Sequence, residues 1–376
     1  MEKRKMLKLN KEPSLLGFGC MRFPTKNNKI DFDEAKKMID FAVKNGVNYI
    51  DTAYFYHDGE SERVVKEIIK DYKREDFYLA DKMPLWMAKN KEDVSKIFED
   101  QLEKTGVEYF DFYLVHAVSK ERLIDIEKWD VMEILDEYKA QGKIKHIGFS
   151  FHDDLETFKK AVDIYDWDFC QIQLNYMDID HQQGIEGYNL LTEKDIPVIV
   201  MEPIRGGSLA KFNPAIEKIL TDSNSEVTMA SWALRWVGSL PNVKVILSGM
   251  STMEHVIDNL KTFTDFKPLN PNELELIAKV RENLLSLIKV DCTSCNYCMP
   301  CEYGVDIPGN FRIFNQHSMY KNDGHAKWSY SNIDSKNMGG DQCVECNECM
   351  PKCPQNIEIP TRLAEMQEYL IQNGIK

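Results

Sequence analysis

Four polar side chains in the first third of the chain are of types that together could deliver a proton to a carbonyl oxygen. Asp51 ends a short apolar run and Tyr56 lies five residues further on, while Lys82 and His116 follow two later apolar runs. A phenol with an ordinary pKa of about 10 gives up its proton near neutral pH only if a positive charge stabilises the phenolate. Lys82 could supply that charge, Asp51 could keep Lys82 charged, and His116 could donate a hydrogen bond to the oxygen.

A plainer interpretation exists for each residue taken alone. Asp51 and Lys82 could form a buried ion pair without a chemical role, and His116 could be a hydrogen-bonded core histidine. Four such residues at the ends of successive apolar runs favour the chemical interpretation, because the reactive groups of a (β/α)8 barrel sit at the C-terminal ends of its strands.

The elements that must position these residues are repeated βα units. Between residue 14 and about residue 262, short apolar runs alternate with segments of helical period, and no G-x-G-x-x-G motif follows the first run. This pattern favours a closed (β/α)8 TIM barrel over an open doubly wound sheet. The predicted strands are Leu15–Gly19, Val47–Asp51, Phe77–Asp81, Phe110–His116, Ile144–Ser150, Asp168–Leu174, Ile196–Met201 and Val243–Gly249. The predicted helices include Asp33–Asn45, Glu92–Thr105, Trp129–Gln141 and Pro271–Lys289.

Composition narrows the class of protein and its compartment. The chain has 376 residues and a net charge of -14, so it lacks the excess of Lys and Arg that a nucleic-acid surface needs. No apolar run is long enough to span a membrane, and the basic N-terminal residues are not followed by the apolar core of a signal peptide. We therefore expect a cytoplasmic protein that binds neither nucleic acid nor membrane.

A second set of candidate residues consists of cysteines. Eight of the ten lie between residues 292 and 353 in C-x-x-C runs, and in a reducing compartment such runs are metal ligands rather than disulfides. The later run ends in Cys-Pro and has the spacing of the bacterial ferredoxin motif for a [4Fe-4S] cluster: Cys343, Cys346, Cys349 and Cys353. The earlier run is one residue shorter before its last member: Cys292, Cys295, Cys298 and Cys301.

In the ferredoxin pattern, the fourth cysteine of each run ligates the other cluster. One cluster would then be held by Cys292, Cys295, Cys298 and Cys353, and the other by Cys343, Cys346, Cys349 and Cys301. Two structural zinc sites are the alternative, because four thiolates also satisfy zinc. The repeated spacing favours two [4Fe-4S] clusters.

Three segments resemble the catalytic segments of the aldo-keto reductase superfamily: the stretch from Asp51 to Tyr56, the segment around Lys82, and the stretch from Phe112 to His116. The resemblance implies a (β/α)8 fold, NAD(P)H bound across the barrel mouth, and hydride transfer to or from a carbonyl carbon. It also implies that Tyr56, rather than Tyr54, exchanges the proton, because the family places this tyrosine five residues after the aspartate.

The same resemblance implies positions for the nucleotide after the later strands. Ser150 and Gln171 match contacts to the nicotinamide carboxamide, and Met201 stands where many members stack an aromatic ring on the nicotinamide. The positions matching the pyrophosphate loop are Arg205, Gly206 and Gly207, and those matching the adenosine-binding stretch are Ser251, His255, Asp258 and Asn259. Because no Lys or Arg lies between Leu247 and Leu260, the usual basic clamp on a 2′-phosphate is not visible, and NADP is expected over NAD only from the resemblance.

A barrel followed by this tail resembles the iron-sulfur-containing branch of the superfamily. We expect an aldo-keto reductase-like barrel over residues 1–285 and a small ferredoxin-like α+β domain over residues 286–376. Within the tail, residues 310–340 are predicted to form a helix followed by a polar loop.

The leading hypothesis for function is an NAD(P)H-dependent oxidoreductase that interconverts a small carbonyl compound and an alcohol, with clusters that are structural or carry electrons. The alternative is an electron-transfer or redox-sensing protein, in which the barrel binds the nucleotide and the clusters dock a redox partner protein.

Overall fold

The computed structural model describes all residues from Met1 to Lys376. Its strands are β1 (Leu16–Gly19), β2 (Thr25–Lys26), β3 (Lys29–Ile30), β4 (Tyr49–Asp51), β5 (Tyr78–Met83), β6 (Phe110–Val118), β7 (Ile144–Phe151), β8 (Phe169–Gln173), β9 (Val198–Met201) and β10 (Val243–Ser248). Eight of them pair in parallel and close into a barrel in the order β1, β10, β9, β8, β7, β6, β5, β4. The predicted (β/α)8 barrel is confirmed, and each predicted strand overlaps an observed one.

The remaining two strands, β2 and β3, form an antiparallel hairpin that the sequence did not predict. Its turn is Asn27-Asn28, and both residues have positive φ, of 54° and 60°. Such a turn matches the twist of a hairpin, and asparagine tolerates it better than most residues. Two-residue strands are too short to show an alternating pattern, so this hairpin left no signal in the sequence.

The barrel strands are apolar along nearly their whole length because helices cover their outer face and packed side chains fill the inside. The lower part of the interior is closed by a cluster of buried residues that includes Tyr49, Phe112, Leu114 and Phe169. Only the C-terminal ends of the strands therefore remain available to polar, reactive side chains.

The helices are α1 (Phe32–Lys44), α2 (Ser61–Ile69), α3 (Lys91–Thr105), α4 (Lys120–Lys128), α5 (Val131–Ala140), α6 (Leu155–Asp163), α7 (Gly184–Glu193), α8 (Pro214–Thr221), α9 (Met229–Gly238), α10 (Met253–Thr264), α11 (Pro271–Leu285), α12 (Ile307–Tyr320), α13 (Asp323–Asp334) and α14 (Ile359–Gln372). Several have the expected end signals. The Asp31 side chain caps α1 by accepting from Glu34 N, and α3 ends at Gly106 with a φ of 66°.

Two compact units can be distinguished in the chain. The first comprises residues 1–206 and 231–270 and contains all ten strands; the second comprises residues 207–230 and 271–376. Helix α11 thus groups with the second unit, and the division at residue 285 stays a prediction.

The part of the second unit after residue 286 contains helices and turns but no strand, unlike the α+β arrangement that we expected. The residues beside the cysteine runs explain this difference. The segment Asp306-Ile307-Pro308 starts α12, with Asp306 accepting from Gly309 N, and Glu358-Ile359-Pro360 starts α14. Proline in the first helical turn favours a helix start over a strand.

The segment that we predicted to be a polar loop also differs from the prediction, because it contains helix α13. Asn322 caps this helix by accepting from His325 N, and only Ala326 and Tyr330 among its residues are buried. A helix with so narrow an apolar side gives little hydrophobic periodicity, which is why the prediction of a loop was wrong.

Candidate functional site

The four candidate catalytic residues lie at one end of the barrel. Asp51 is the last residue of β4, Lys82 and His116 lie near the ends of β5 and β6, and Tyr56 follows β4 in a turn. The Lys82 Nζ atom lies 2.6 Å from Asp51 Oδ1 and also donates to the Thr52 carbonyl oxygen at 2.7 Å. Parallel strands bring these residues together because their C-terminal ends all meet at one rim.

The electrostatic surroundings of Lys82 keep it charged although it is fully buried. Burial alone lowers the pKa of an ammonium group, but the negative charge of Asp51 and the phenol of Tyr56 outweigh this effect and raise the pKa of Lys82 above its ordinary value. For Asp51 the balance is different, because burial raises its pKa by more than the charge and hydrogen bond of Lys82 lower it. Asp51 and Lys82 therefore form a buried ion pair at the C-terminal end of the barrel strands.

Tyr56 lies over this ion pair. Its ring centroid is 4.9 Å from Lys82 Nζ. Burial of the hydroxyl raises the pKa of Tyr56 by more than the positive charge of Lys82 lowers it. Tyr56 accordingly holds its proton at neutral pH, while Lys82 is placed to stabilise the phenolate once the proton has left.

His116 is enclosed by two aromatic rings and is 8% exposed. Phe55 stacks on its imidazole at a centroid distance of 5.4 Å, and Trp86 lies 5.0 Å away. Burial, together with the charge of Lys82, holds the pKa of His116 well below its ordinary value, so the imidazole is neutral. A neutral imidazole can donate a hydrogen bond to a developing oxyanion without transferring its proton.

The positions predicted to contact nicotinamide lie on the neighbouring strands β7, β8 and β9. Ser150 Oγ accepts from Ala117 N at 2.8 Å, so this hydroxyl is bound to the backbone of β6 next to His116. The Gln171 side chain donates to Met201 Sδ at 3.4 Å, and its buried Oε1 atom has no hydrogen-bond partner. An unpaired buried acceptor at this place fits the N–H donors of a carboxamide.

The loop after β9 carries the predicted pyrophosphate-binding residues. Arg205 Nε lies 3.3 Å from the buried Asp178 carboxylate. Gly206 and Gly207 follow with φ values of 60° and 98°. Glycines in this conformation leave the backbone amides accessible to an anion.

Arg22 is a cation that sequence reasoning did not assign to the nucleotide. Its aliphatic stem packs so closely on Gly249 that a β-carbon there would lie 3.1 Å from it, and its guanidinium nitrogen would be 3.5 Å from a β-carbon on Gly206. Arg22 thus spans the loops after β9 and β10. No local sequence pattern indicates this contact, because Arg22 lies 184 residues before Gly206 and 227 residues before Gly249.

The predicted adenosine-binding positions surround the start of α10 but differ in exposure. Ser251 N donates to His255 Nδ1 at 3.3 Å on the exposed surface, and Asp258 lies one turn further along. Asn259, by contrast, is 5% exposed and donates to Ser248 Oγ at 2.8 Å, so it links α10 to β10.

The eight clustered cysteines are free thiols that line two cavities. One cavity is lined by Cys292, Cys295, Cys298 and Cys353. The other is lined by Cys301, Cys343, Cys346 and Cys349, and also by Cys298. This grouping is the one expected if the fourth cysteine of each run crosses to the other cluster. No three His, Cys, Asp or Glu side chains are arranged to hold a single metal ion.

Comparison with known proteins agrees with this description. Residues 15–282 match the profile of the Aldo/keto reductase family, and residues 291–358 match that of the 4Fe-4S dicluster domain. The chain therefore belongs to the aldo/keto reductase family and carries a C-terminal 4Fe-4S dicluster domain. It is an oxidoreductase by family.

Among individual relatives, the uncharacterized oxidoreductase YqkF of Bacillus subtilis is 24% identical over 69% of this chain and 90% of its own length. An aldo-keto reductase of Bacillus halodurans in its holo form superimposes with a TM-score of 0.62 at 24% identity, over 74% of this chain and 96% of that one. An aldo-keto reductase of Klebsiella pneumoniae in complex with NADPH gives a TM-score of 0.60 at 21% identity, over 75% and 96%. The structural matches show that the barrel fold is shared.

None of the helices is both long and apolar enough to cross a membrane.

Proposed function

We propose that this protein is an NAD(P)H-dependent oxidoreductase that interconverts a carbonyl compound and an alcohol, with Tyr56 as the proton donor or acceptor. The observation that carries the proposal is the charged Lys82, held by Asp51 at 2.6 Å with its ammonium 4.9 Å from the Tyr56 ring. A buried cation beside a phenol stabilises the phenolate that forms when the proton is transferred.

In the reductive direction, a bound reduced nicotinamide would supply the hydride. Tyr56 holds the proton that the carbonyl oxygen must receive, and Lys82 lowers the cost of losing it. His116, neutral and enclosed, donates a hydrogen bond to the same oxygen as negative charge develops. In the oxidative direction, the Tyr56 phenolate accepts the proton of the alcohol.

For the nucleotide, the side chains offer contacts of three kinds. Gln171 Oε1 would accept from the carboxamide, Arg22 and Arg205 would bind phosphate oxygens, and the start of α10 with Ser251 and His255 would contact the adenosine. The pyrophosphate is common to NAD and NADP, so these arginines do not select between the two nucleotides. NADP is proposed over NAD because of the family resemblance and the relative solved with NADPH.

For the substrate, the aromatic side chains around His116 favour an uncharged, apolar carbonyl compound or alcohol. Phe55 and Trp86 are 40% and 41% exposed and stand edge to face at 5.4 Å. Exposed aromatic rings beside a reactive centre bind flat apolar groups well.

For the C-terminal module, we propose two [4Fe-4S] clusters. Each cluster is held by three cysteines of one run and one cysteine of the other run. We also propose that the barrel domain comprises residues 1–285. The clusters either stabilise the module or pass electrons to a redox partner protein.

The proposed function is tested by replacing Tyr56 with Phe and assaying carbonyl reduction with NADPH under anaerobic conditions. Removing a general acid should lower kcat by about 10² to 10⁴ fold. The Kd of NADPH, measured by fluorescence, should stay the same. Tyr54→Phe, in the same turn, is the matched control and should remain active. Full activity of Tyr56→Phe would exclude Tyr56 as the proton donor.

The paired cysteine cavities favour a second candidate function, in which the protein transfers electrons or senses the redox state of the nucleotide. Anaerobic mixing with NADPH separates the two. Bleaching of the cluster absorbance without any carbonyl compound supports electron transfer, whereas NADPH oxidation only after a carbonyl compound is added supports the reductase.

A further inference from the structure

The loop after β8 contains a buried carboxylate, Asp178, to which the proposed reaction assigns no role. Asp178 is 4% exposed, and its two oxygens have different partners. The Oδ2 atom accepts from Gln173 Nε2 at 3.0 Å and from Asn175 Nδ2 at 2.8 Å. The Oδ1 atom lies 3.3 Å from Arg205 Nε, in the loop after β9. Because all of these partners are donors, they suit an ionised carboxyl group and hold it from both sides.

Asn175 connects this carboxylate to the backbone of the loop after β9. The Asn175 side chain is fully buried, and its Oδ1 atom accepts from Met177 N and from Asp178 N, each at 3.0 Å. Its Nδ2 atom donates to Asp178 and also to the Glu202 carbonyl oxygen at 3.1 Å. Asn175 thus fixes the turn that presents Asp178 and, at the same time, the start of the neighbouring loop.

The loop after β9 has a backbone conformation that needs such support. Glu202 and Arg205 have φ values of 55° and 50°, which are unusual for residues with a β-carbon. Arg205 N donates to the Glu202 carbonyl oxygen at 3.0 Å, so this oxygen binds both the amide of its own loop and the Asn175 side chain. Residues in this conformation persist only where the surrounding contacts hold them. Asn175 and Asp178 supply two of these contacts.

The ion pair with Asp178 can act on phosphate binding in two opposite ways. An arginine that is already held in place loses less rotamer freedom when it binds a phosphate, so positioning favours affinity. The Arg205 side chain is 28% exposed, so it is held at Nε and still accessible. The negative charge of Asp178, however, offsets part of the charge of Arg205, so screening opposes affinity. The sign of the effect on nucleotide binding therefore distinguishes positioning from screening.

We propose that Asp178 is a positioning residue for the nucleotide. Together with Asn175, it holds the loop after β9 and the Arg205 guanidinium in the arrangement that receives the pyrophosphate. Asp178 acts through Arg205 and not by its own contact with the nucleotide. This role rests on the proposed function, which assigns Arg205 to the phosphates, but it does not involve the proton transfer by Tyr56.

The test begins with Asp178→Asn in the full-length holoprotein, with the Kd of NADPH and of NADH measured anaerobically by fluorescence titration. An amide has one accepting oxygen where the carboxylate has two, so either Arg205 or the pair Gln173 and Asn175 loses its acceptor. Both Kd values should rise by about tenfold, because both nucleotides carry the pyrophosphate and a charge-assisted hydrogen bond is lost. The kcat at saturating NADPH should not fall, because Tyr56 is untouched.

A double-mutant cycle shows whether the effect passes through Arg205. Arg205→Gln should also raise both Kd values by about tenfold. Adding D178N to R205Q should then change either Kd by less than about twofold, because the group that Asp178 positions is already gone.

The matched control is Asp111→Asn. Asp111 is 5% exposed, and its Oδ2 atom accepts from Arg74 Nη2 at 2.6 Å, so the same substitution is made at an equally buried carboxylate bound to an arginine. Asp111 lies at the N-terminal end of β6, away from the barrel mouth. D111N should lower the stability of the barrel and leave both Kd values unchanged.

Two results would overturn the proposal. Tighter binding of the nucleotides by D178N would mean that Asp178 only screens the charge of Arg205. An equal loss of affinity from D178N in the parent and in R205Q would mean that Asp178 acts elsewhere. If D178N does not fold, Gln173→Met replaces it, since this variant removes one donor to Oδ2 and keeps the carboxylate. Its Kd values should rise by about two- to threefold, and unchanged values would contradict the positioning role.

Failure of the proposed function would look different from failure of this inference. Full activity of Tyr56→Phe would refute the proton transfer, yet the Kd values of the cycle would still decide whether Asp178 positions Arg205. A parent protein that binds NADPH and NADH, with D178N binding both equally well, would overturn only the positioning role. A parent that binds neither nucleotide would overturn both.

Discussion

The ion pair at the barrel mouth allows a quantitative prediction about stability. Lys82→Met keeps the length of the side chain but removes its charge and leaves the Asp51 carboxylate, 2% exposed, without the ammonium at 2.6 Å. Breaking a buried pair by removing one partner costs about 3–5 kcal/mol in the free energy of unfolding. Asp51→Asn should cost a similar amount, because Lys82 then keeps only the Thr52 carbonyl oxygen as a strong acceptor.

The double variant Asp51→Asn with Lys82→Met leaves no unpaired charge. Its loss should therefore be smaller than the sum of the two single losses by about 2 kcal/mol or more. The loss in Lys82→Met should also grow with pH. Burial without the ammonium raises the pKa of Asp51 in the folded state above its unfolded value, so the variant loses stability as pH rises above that unfolded value.

Urea unfolding followed by tryptophan fluorescence measures these effects in the barrel, because five of the six tryptophans lie in the first compact unit. The four proteins of the cycle should be compared anaerobically, at the same pH and without nucleotide. Strictly additive losses would refute the reasoning, since they would mean that Asp51 and Lys82 do not depend on each other. The reasoning would also be refuted if the double variant lost more stability than the sum of the two single losses.

Three further outcomes follow from the site. Arg22→Gln should weaken both NADPH and NADH by about tenfold if the guanidinium binds the pyrophosphate, as loss of a charge-assisted hydrogen bond does; an unchanged Kd for both, measured by fluorescence titration, contradicts that contact. Cys353→Ser should lower the iron content of anaerobically purified protein, whereas Cys170→Ser, at a buried thiol of the barrel core, should leave it unchanged; equal iron in both variants excludes Cys353 as a ligand. Trp86→Ala should lower kcat/KM for aromatic aldehydes more than for short aliphatic ones, and an equal loss for both would show that the ring does not contact the substrate.

The barrel could be predicted from the sequence because its signals are local. The sequences of strands such as β6 and β7 are nearly continuous apolar runs, since both faces of these strands are buried. Helix ends such as Gly106 add a second local signal. The hairpin β2–β3 and helix α13 were not predicted, because their apolar periodicity is short or weak. The iron-sulfur module was predicted from its cysteine spacing, but its lack of strands was not.

For the site, strand ends led to Asp51, Lys82 and His116, because position along a strand determines which rim a residue reaches. The contacts of Arg22 with the loops after β9 and β10 could not be found in this way. They depend on how elements distant in sequence pack, and Arg22 does not lie at the end of a predicted strand. The direction of the Tyr56 pKa was likewise not predictable, since it depends on how deeply the hydroxyl is buried.

The crossed grouping of the cysteines has a consequence for the order in which the protein matures during synthesis. The cavity lined by Cys292, Cys295 and Cys298 also needs Cys353, so it stays incomplete until nearly the whole chain has been translated. The other cavity includes Cys301 but needs Cys349, only four residues earlier than Cys353. The barrel residues emerge first and can fold first. If these cavities hold the proposed clusters, we expect cofactor loading to be a late event that follows synthesis of the barrel, with both cavities complete almost at the same moment.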